Sequence, residues 1–307
     1  MNTETITAAS AGTWDLGDLT VRRIGFGTMR LTGSGAFDQG VPSDRGRSIA
    51  VLRRAVELGV NHIDTAAFYF SSLRSANELV NTALAPYPDD LVITTKVGPS
   101  RDASGEWHTA RPEGLRGQVE ENLRQLGRDH LDVVNLRLMP GMREFGTFAE
   151  YFGAMAELRT AGLIRHLGLS VIRPEHLAEA RAIAPVVCVQ NRYGIDSRQS
   201  GADDLLRECG ELGIAFVPFF AIAGEGREAG ASAEGHDQDL LDIARAHGAT
   251  PAQVRLAWTL HRGPHVLAIP GTGNPDHLVE NLAAGALHLS ADELARLDSP
   301  GRAQTAV

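Results

Sequence analysis

The run VNHIDTAAFY, residues 60–69, decides how this sequence is read. It follows an amphipathic pattern over 46–59 that stops at Gly59, starts apolar, and turns polar at Asp64. The same shape recurs twice at once: LVITTK (91–96) ends at Lys96, and LDVVNLR (131–137) ends at Arg137. Short apolar runs separated by helical patterns indicate a parallel sheet with both faces covered.

The pattern extends along the whole chain. The strand candidates are RIGFGT (23–28), VNHID (60–64), LVITTK (91–96), LDVVNLR (131–137), IRHLGLS (164–170), VVCVQ (186–190), IAFVPF (214–219) and HVLAIP (265–270). Helical patterns lie between them at 46–59, 75–84, 112–127, 146–161, 174–183, 202–211 and 251–261. Pro112, Pro174 and Pro251 fall in first helical turns, and Gly59, Gly127, Gly162 and Gly213 stand where helices stop. Eight such units close a barrel without leaving an edge. The expectation is therefore a (β/α)8 TIM barrel forming one domain over 1–307. An N-terminal β-hairpin, TWDLGDLTV with its turn at Gly17-Asp18, precedes it. Extra C-terminal helices follow, one in NPDHLVENLAAGAL and one in SADELARL capped by Ser290. A doubly wound sheet is the alternative, but GFGTMR carries only part of the G-x-G-x-x-G turn and opens no helix. Residues 1–12 read as a flexible tail, and the Gly- and Ala-rich 221–235 as a mobile loop on the barrel rim.

Bulk properties narrow the function. The 307 residues are 43% hydrophobic and carry a net charge of −9, which argues against general affinity for nucleic acid or anionic membrane. Of the two cysteines, Cys188 lies in an apolar run, and neither has metal-ligand spacing. HRGPH (261–265) has histidine spacing but lies between a helix and a strand, so no metal is expected. No signal peptide or membrane span is read, and the expected location is the cytoplasm.

In a (β/α)8 barrel the C-terminal strand ends meet at one mouth. Asp64, Lys96 and Arg137 end neighbouring strands there, and Tyr69 lies in the loop just beyond Asp64. An ordinary tyrosine, with a pKa of about 10, is a poor proton donor at neutral pH. A cation about 4 Å away favours phenolate by about 4 kcal/mol at an effective dielectric near 20. Lys96 can supply that charge, and Asp64 can hold the lysine.

The motifs HIDTA..Y, TKVG, GLIRHLGLS, VVCVQNRY and IPGT…HLVENL, in this order and spacing, resemble the aldo-keto reductase superfamily over about 270 residues. The resemblance implies hydride transfer from NADPH, held without a Rossmann fold, to an aldehyde or ketone. It places the acid–base tyrosine on Tyr69, with Lys96 and Asp64 as its partners, and Asp64 also beside the cofactor. Arg137 stands where the family usually has histidine. Arginine is always charged and only donates hydrogen bonds, so it can polarise the carbonyl or anchor an anionic or phenolic oxygen. For the cofactor, the resemblance points to Gly27, Thr28 and Met29 beside the nicotinamide ribose. Ser170 and Gln190 are matched to the carboxamide, and Phe219 to the nicotinamide ring. Gly271 and Thr272 lead into a helix N-terminus that favours phosphate. His277, Glu280 and Asn281 are matched to the adenosine phosphate and adenine; many relatives have arginine where His277 stands.

One branch, the bacterial pyridoxal reductases and their relatives, shares NHIDTAAFY, LDVVNLRLM and VPFFAIAG, including the arginine. The implied substrate is pyridoxal or a similar small aromatic aldehyde. This chain departs at Phe70, where those relatives usually have glycine. Phe70 and Trp107 are therefore read as candidates for the substrate pocket. Two other readings stand beside this one: a tailoring ketoreductase acting on a sugar or natural-product ketone, and a non-catalytic NADPH-binding regulatory protein. His62 and His166 lie in strand runs and are read as structural.

Overall fold

The computed structural model describes residues 6–33, 41–198, 201–222 and 238–299. Strands β1 (Thr13–Leu16) and β2 (Leu19–Arg22) form the expected antiparallel hairpin, with Leu16 opposite Leu19 across Gly17-Asp18. Strand β3 (Phe26–Gly27) then opens the repeating units: α1 (Arg45–Glu57), β4 (His62–Asp64), α2 (Ala76–Leu84) and β5 (Val92–Val97). A second hairpin, β6 (Pro99–Arg101) with β7 (Trp107–Thr109), precedes α3 (Leu115–Leu126) and β8 (Leu131–Arg137). Next come α4 (Phe148–Thr160), β9 (Ile164–Ser170), α5 (Pro174–Ile183) and β10 (Val186–Gln190). The chain continues through α6 (Ala202–Glu211), β11 (Ala215–Phe216), α7 (Gln238–Ala246) and α8 (Pro251–Leu260). It ends with α9 (Pro275–Ala283) and α10 (Ala291–Asp298).

Helix starts follow local chemistry. Thr147, Thr250 and Ser290 each accept the backbone N–H three residues on, and Glu150, Gln253 and Glu293 reach back to complete capping boxes. Each box satisfies donors that a helix N-terminus leaves open.

Seven strands form a parallel sheet in the order β11-β10-β9-β8-β5-β4-β3. The eighth candidate, 265–270, closes it, but through single bridges on each side instead of a regular ladder. Ala268 accepts from Gly25 at 2.8 Å and donates to Arg23 at 2.7 Å. On the other edge Leu267 donates to Phe216 and Phe216 to His265, both at 2.9 Å. The seam is tight enough to demand glycine. A Cβ on Gly27 would lie 2.6 Å from the Ile269 carbonyl oxygen, and one on Gly271 2.4 Å from that of Gly27.

Alternate residues face the barrel interior. Val92, Val133, Cys188, Ala215, Val217 and Leu267 pack there with Leu16 and Val21 of the first hairpin, which plugs the end away from the strand C-termini. Burial pushes the Cys188 thiol up to about 12, so it stays protonated and donates to Asn135 Oδ1 at 3.2 Å. The next inward positions toward the opposite end are polar, and these build the site.

Three readings change. Part of the stretch read as a tail is ordered: Ala8–Ala11 form a 3-10 turn, Ala8 is fully buried, and its N–H donates to the Leu58 carbonyl. The 23–28 and 214–219 runs shorten to Phe26–Gly27 and Ala215–Phe216, because the loosely bridged seam flanks both. Helix α7 and the β6–β7 hairpin were not read from the sequence. The loop expected at 221–235 lies mostly outside the described residues. Among the described residues, no helix is long and apolar enough to cross a membrane.

Candidate active site

Inward-facing parity brings the strand-end side chains together. Lys96, on β5, is 2% exposed, and its Nζ donates to Asp64 Oδ1 at 2.7 Å and to the Thr65 carbonyl at 3.0 Å. Asp64, on β4, uses its other oxygen to accept from Gln190 Nε2 at 2.7 Å. The carboxylate is thus fully committed: it neutralises the lysine and orients the amide. Gln190 Oε1 is left buried without a partner among the described residues.

The same ammonium sits 4.9 Å from the centre of the Tyr69 ring. Tyr69 is 7% exposed and packs with Ala66, Phe68, Ala76 and Met29 in a small cluster separate from the main core. Phe68 meets its ring edge-on at 5.1 Å. Asp64, Lys96 and Tyr69 therefore gather as the sequence reading expected.

Arg137 ends β8 in register with Ser170 of β9, and its Nη1 donates to Ser170 Oγ at 3.3 Å. Its guanidinium lies over the Phe219 ring, 5.2 Å from the centroid. Gly98 lets β5 approach here, since a Cβ on it would lie 2.5 Å from the Arg137 carbonyl oxygen. Arg137, Ser170 and Phe219 thus form one patch of the mouth, beside the Asp64–Lys96 pair. Among the described residues no carboxylate pairs with Arg137.

A second tier supports the first. His62 lies one inward position below Asp64, 1% exposed, with Nε2 3.1 Å from Thr94 Oγ1. Burial pulls its pKa down to about 4, against the Asp64 charge, which raises it. The imidazole is therefore a neutral structural element, as read. Behind the strands, Thr65 Oγ1 donates to Asn77 Oδ1 at 2.8 Å, and Thr95 Oγ1 to Asn122 Oδ1 at 2.7 Å. Asn77 Nδ2 joins the two by donating to Asn122 Oδ1 at 3.0 Å. This buried network fixes the residues next to Asp64 and Lys96 against α2 and α3.

The remaining expected residues lie at the first barrel strand, β3, and on the segment after the eighth. Thr28 is buried, donating its N–H to the Asp64 carbonyl at 2.9 Å and its hydroxyl to Thr65 Oγ1 at 3.0 Å. Met29 packs against the Tyr69 cluster. Gly27 and Gly271 meet at the seam, and Thr272 Oγ1 accepts from the Asn274 N–H at 3.0 Å just before α9. His277, Glu280 and Asn281 follow on α9 at positions i, i+3 and i+4, hence on one face. That helix contains no lysine or arginine.

Phe70 and Trp107, expected at the substrate pocket, have a different immediate neighbour. Arg101 lies between them, its guanidinium 4.6 Å from the Phe70 ring centre and 5.5 Å from that of Trp107. Arg101 was missed in the sequence because its hydrogen bonds to Phe68, Phe70 and Gly105 go to backbone carbonyls, which no motif displays.

Comparison with known proteins agrees with this geometry. The Aldo/keto reductase family model matches residues 23–301. The chain belongs to the aldo/keto reductase family. This aldo/keto reductase is 45% identical to pyridoxine 4-dehydrogenase of Escherichia coli (strain K12), over 95% of this chain and 99% of that one. It resembles the structure of a thermostable aldo-keto reductase solved with the inhibitor epalrestat, with 31% identity and a TM-score of 0.78. That match covers 93% of this chain and 98% of the other. An aldo-keto reductase from Klebsiella pneumoniae, solved with NADPH, matches at 30% identity and a TM-score of 0.73, over 91% and 90% of the two chains. Carbonyl reduction is the family's chemistry.

Proposed function

We propose that this aldo/keto reductase uses NADPH to reduce a small aromatic aldehyde, pyridoxal first among the candidates. The observation that carries the reading is the buried Lys96–Asp64 pair set beside the ring of Tyr69. The 45% identity to a pyridoxine 4-dehydrogenase supports the substrate, and the NADPH-bound Klebsiella relative supports the cofactor.

The residues at the mouth fit the cofactor's nicotinamide end. Gln190 Oε1 is a buried acceptor without a partner among the described residues, suited to a carboxamide N–H, and Phe219 offers a ring face. At the far end, the Thr272 hydroxyl and His277 stand at the N-terminus of α9, where Pro275 has no N–H and the Asp276 N–H is already taken by Asn274 Oδ1, so these two side chains are the groups suited to a phosphate. Bound NADPH supplies a hydride to the carbonyl carbon.

The chain's own residues handle the proton and the charge. As the carbonyl oxygen becomes anionic, the Tyr69 hydroxyl gives it a proton, leaving phenolate. The Lys96 ammonium, held by Asp64, stabilises that phenolate in a site where water does not screen it. Solvent then returns a proton to Tyr69. Arg137 donates toward the substrate: its charge suits the ionised 3-hydroxyl that pyridoxal carries next to its aldehyde.

The test is loss of NADPH absorbance over a panel containing pyridoxal, other aromatic aldehydes, sugars and cyclic ketones. Pyridoxal should be reduced with the highest kcat/KM. A sugar or cyclic ketone outrunning it would replace the substrate assignment, and NADPH binding without turnover of any carbonyl would remove the enzymatic one.

A further inference from the structure

Tyr69 lies in a stretch that owes little to regular structure. Between β4 and α2 the backbone turns through 65–75, and the apolar cluster around Tyr69 is detached from the main core. Something else must hold the phenol over the lysine. The Tyr69 N–H donates to the Ala66 carbonyl at 3.0 Å and its carbonyl accepts from the Ala76 N–H at 2.9 Å, which pins that one residue's own backbone. The carbonyls on either side point elsewhere, to a residue on a different segment.

That residue is Arg101. Its Nη1 donates to the Phe70 carbonyl at 3.0 Å and to the Phe68 carbonyl at 3.4 Å, bracketing Tyr69. Its Nε donates to Gly105 at 3.3 Å, tying the guanidinium to the turn of its own hairpin. The planar group is held between the Phe70 and Trp107 rings, and Trp107 also lies 5.6 Å from Phe68. Arg101 and Trp107 are direct cross-strand partners, so the hairpin presents both from one face. Arginine suits the task, with donors in a rigid fork and a flat face that stacks on aromatics.

The hairpin also begins where β5 ends. Lys96 and Arg101 sit five positions apart on one continuous segment, across Gly98. One cation of that segment touches the Tyr69 ring, and the other holds the backbone on both sides of it. We propose that Arg101 is a positioning residue for Tyr69, clamping residues 68–70 to the β6–β7 hairpin so that the hydroxyl stays where the carbonyl oxygen arrives. This rests on Tyr69 being the proton donor.

The test compares Arg101→Ala and Arg101→Gln with wild type at a temperature where circular dichroism shows all three folded. It measures kcat and KM for the aldehyde that wild type reduces best, and NADPH affinity by fluorescence quenching. A displaced donor costs rate, and a misplacement of about 1 Å can cost about 100-fold. The expected result is a kcat at least about tenfold lower in Arg101→Ala, by the same reasoning, with NADPH affinity within about twofold. Arg101→Gln, which keeps one donor for the Phe70 carbonyl, should fall between. Should Arg101→Ala not fold, Arg101→Gln decides alone: lower kcat at unchanged NADPH affinity supports the clamp.

A folded variant that melts earlier but keeps wild-type kcat would reduce Arg101 to a scaffold residue and overturn the proposal. So would a parallel loss of cofactor affinity. Tyr69→Phe, assayed alongside, separates the two claims. If it stays active, the proton-donor assignment fails first; if it is inactive while both Arg101 variants keep wild-type kcat, only the clamp fails.

Discussion

Lys96 Nζ lies 2.7 Å from Asp64 Oδ1 with both side chains almost fully buried. Two charges taken out of water depend on one another, and removing one strands the other. Breaking such a pair costs about 3–5 kcal/mol, whereas replacing both groups can cost far less. Asp64→Ala should therefore destabilise by about that amount in urea unfolding. Asp64→Asn with Lys96→Met, which keeps an acceptor for Gln190, should recover much of the loss. A double variant no more stable than Asp64→Ala would mean that the loss does not arise from the stranded lysine.

Tyr69→Phe removes one hydroxyl and keeps the ring that packs against Phe68 and lies beside Lys96. General-acid groups contribute about 100- to 10,000-fold. Reduction should accordingly fall by about 1,000-fold, with NADPH affinity within about twofold. Fluorescence titration and single-turnover kinetics check the two parts, and lost NADPH binding would reassign Tyr69 to the cofactor site.

The strand-end residues were legible because period two carries them. Once Val92 and Val133 face inward, so must Lys96 and Arg137, and the barrel brings their ends together. The parts that stayed hidden lack such a period. The β6–β7 hairpin is polar and short, and its anchor, Arg101, bonds to carbonyl oxygens that any sequence would provide. Helix α7 spans nine residues, Gln238–Ala246, and buries only Leu240, Ile243 and Ala244. At nine residues it is short, and the glycine-rich stretch before it reads as a continuing loop. Ala8–Ala11 looked like a tail because alanine shows little hydrophobic pattern; the turn is held by Leu58 and by close packing of Ala11 against Gly285. The eighth strand was read correctly as a segment, but its pairing is a matter of barrel closure, which local sequence does not encode.

His62 gives a signature in stability against pH. Its folded pKa is about 4, drawn down by burial from the ordinary 6.5. Between those values the unfolded chain binds a proton that the folded one refuses, so stability falls as pH drops from about 6.5 toward 4 and levels off below. The contribution present above the unfolded value is about 3 kcal/mol. His62→Gln should flatten the urea midpoint against pH across this window relative to wild type. Parallel curves for the two proteins would show that the imidazole is not the group responsible.

Arg137 makes one long hydrogen bond, to Ser170 Oγ at 3.3 Å, and faces no carboxylate among the described residues. A charge-assisted bond from it to a substrate oxyanion is worth about 1.5–3 kcal/mol, or about tenfold and upward in kcat/KM. The clean comparison is salicylaldehyde against its 2-methoxy analogue, which differ only in the ionisable ortho oxygen. Wild type should prefer salicylaldehyde by about tenfold at a pH where its hydroxyl ionises. In Arg137→Gln the ratio should collapse toward unity, whichever way the absolute rates move, because a neutral amide keeps a donor but loses the charge. A ratio near unity already in wild type would leave Arg137 facing the carbonyl itself. The same ratio measured between pyridoxal and its 3-methoxy analogue would then show whether the pyridine substrate is bound in another orientation.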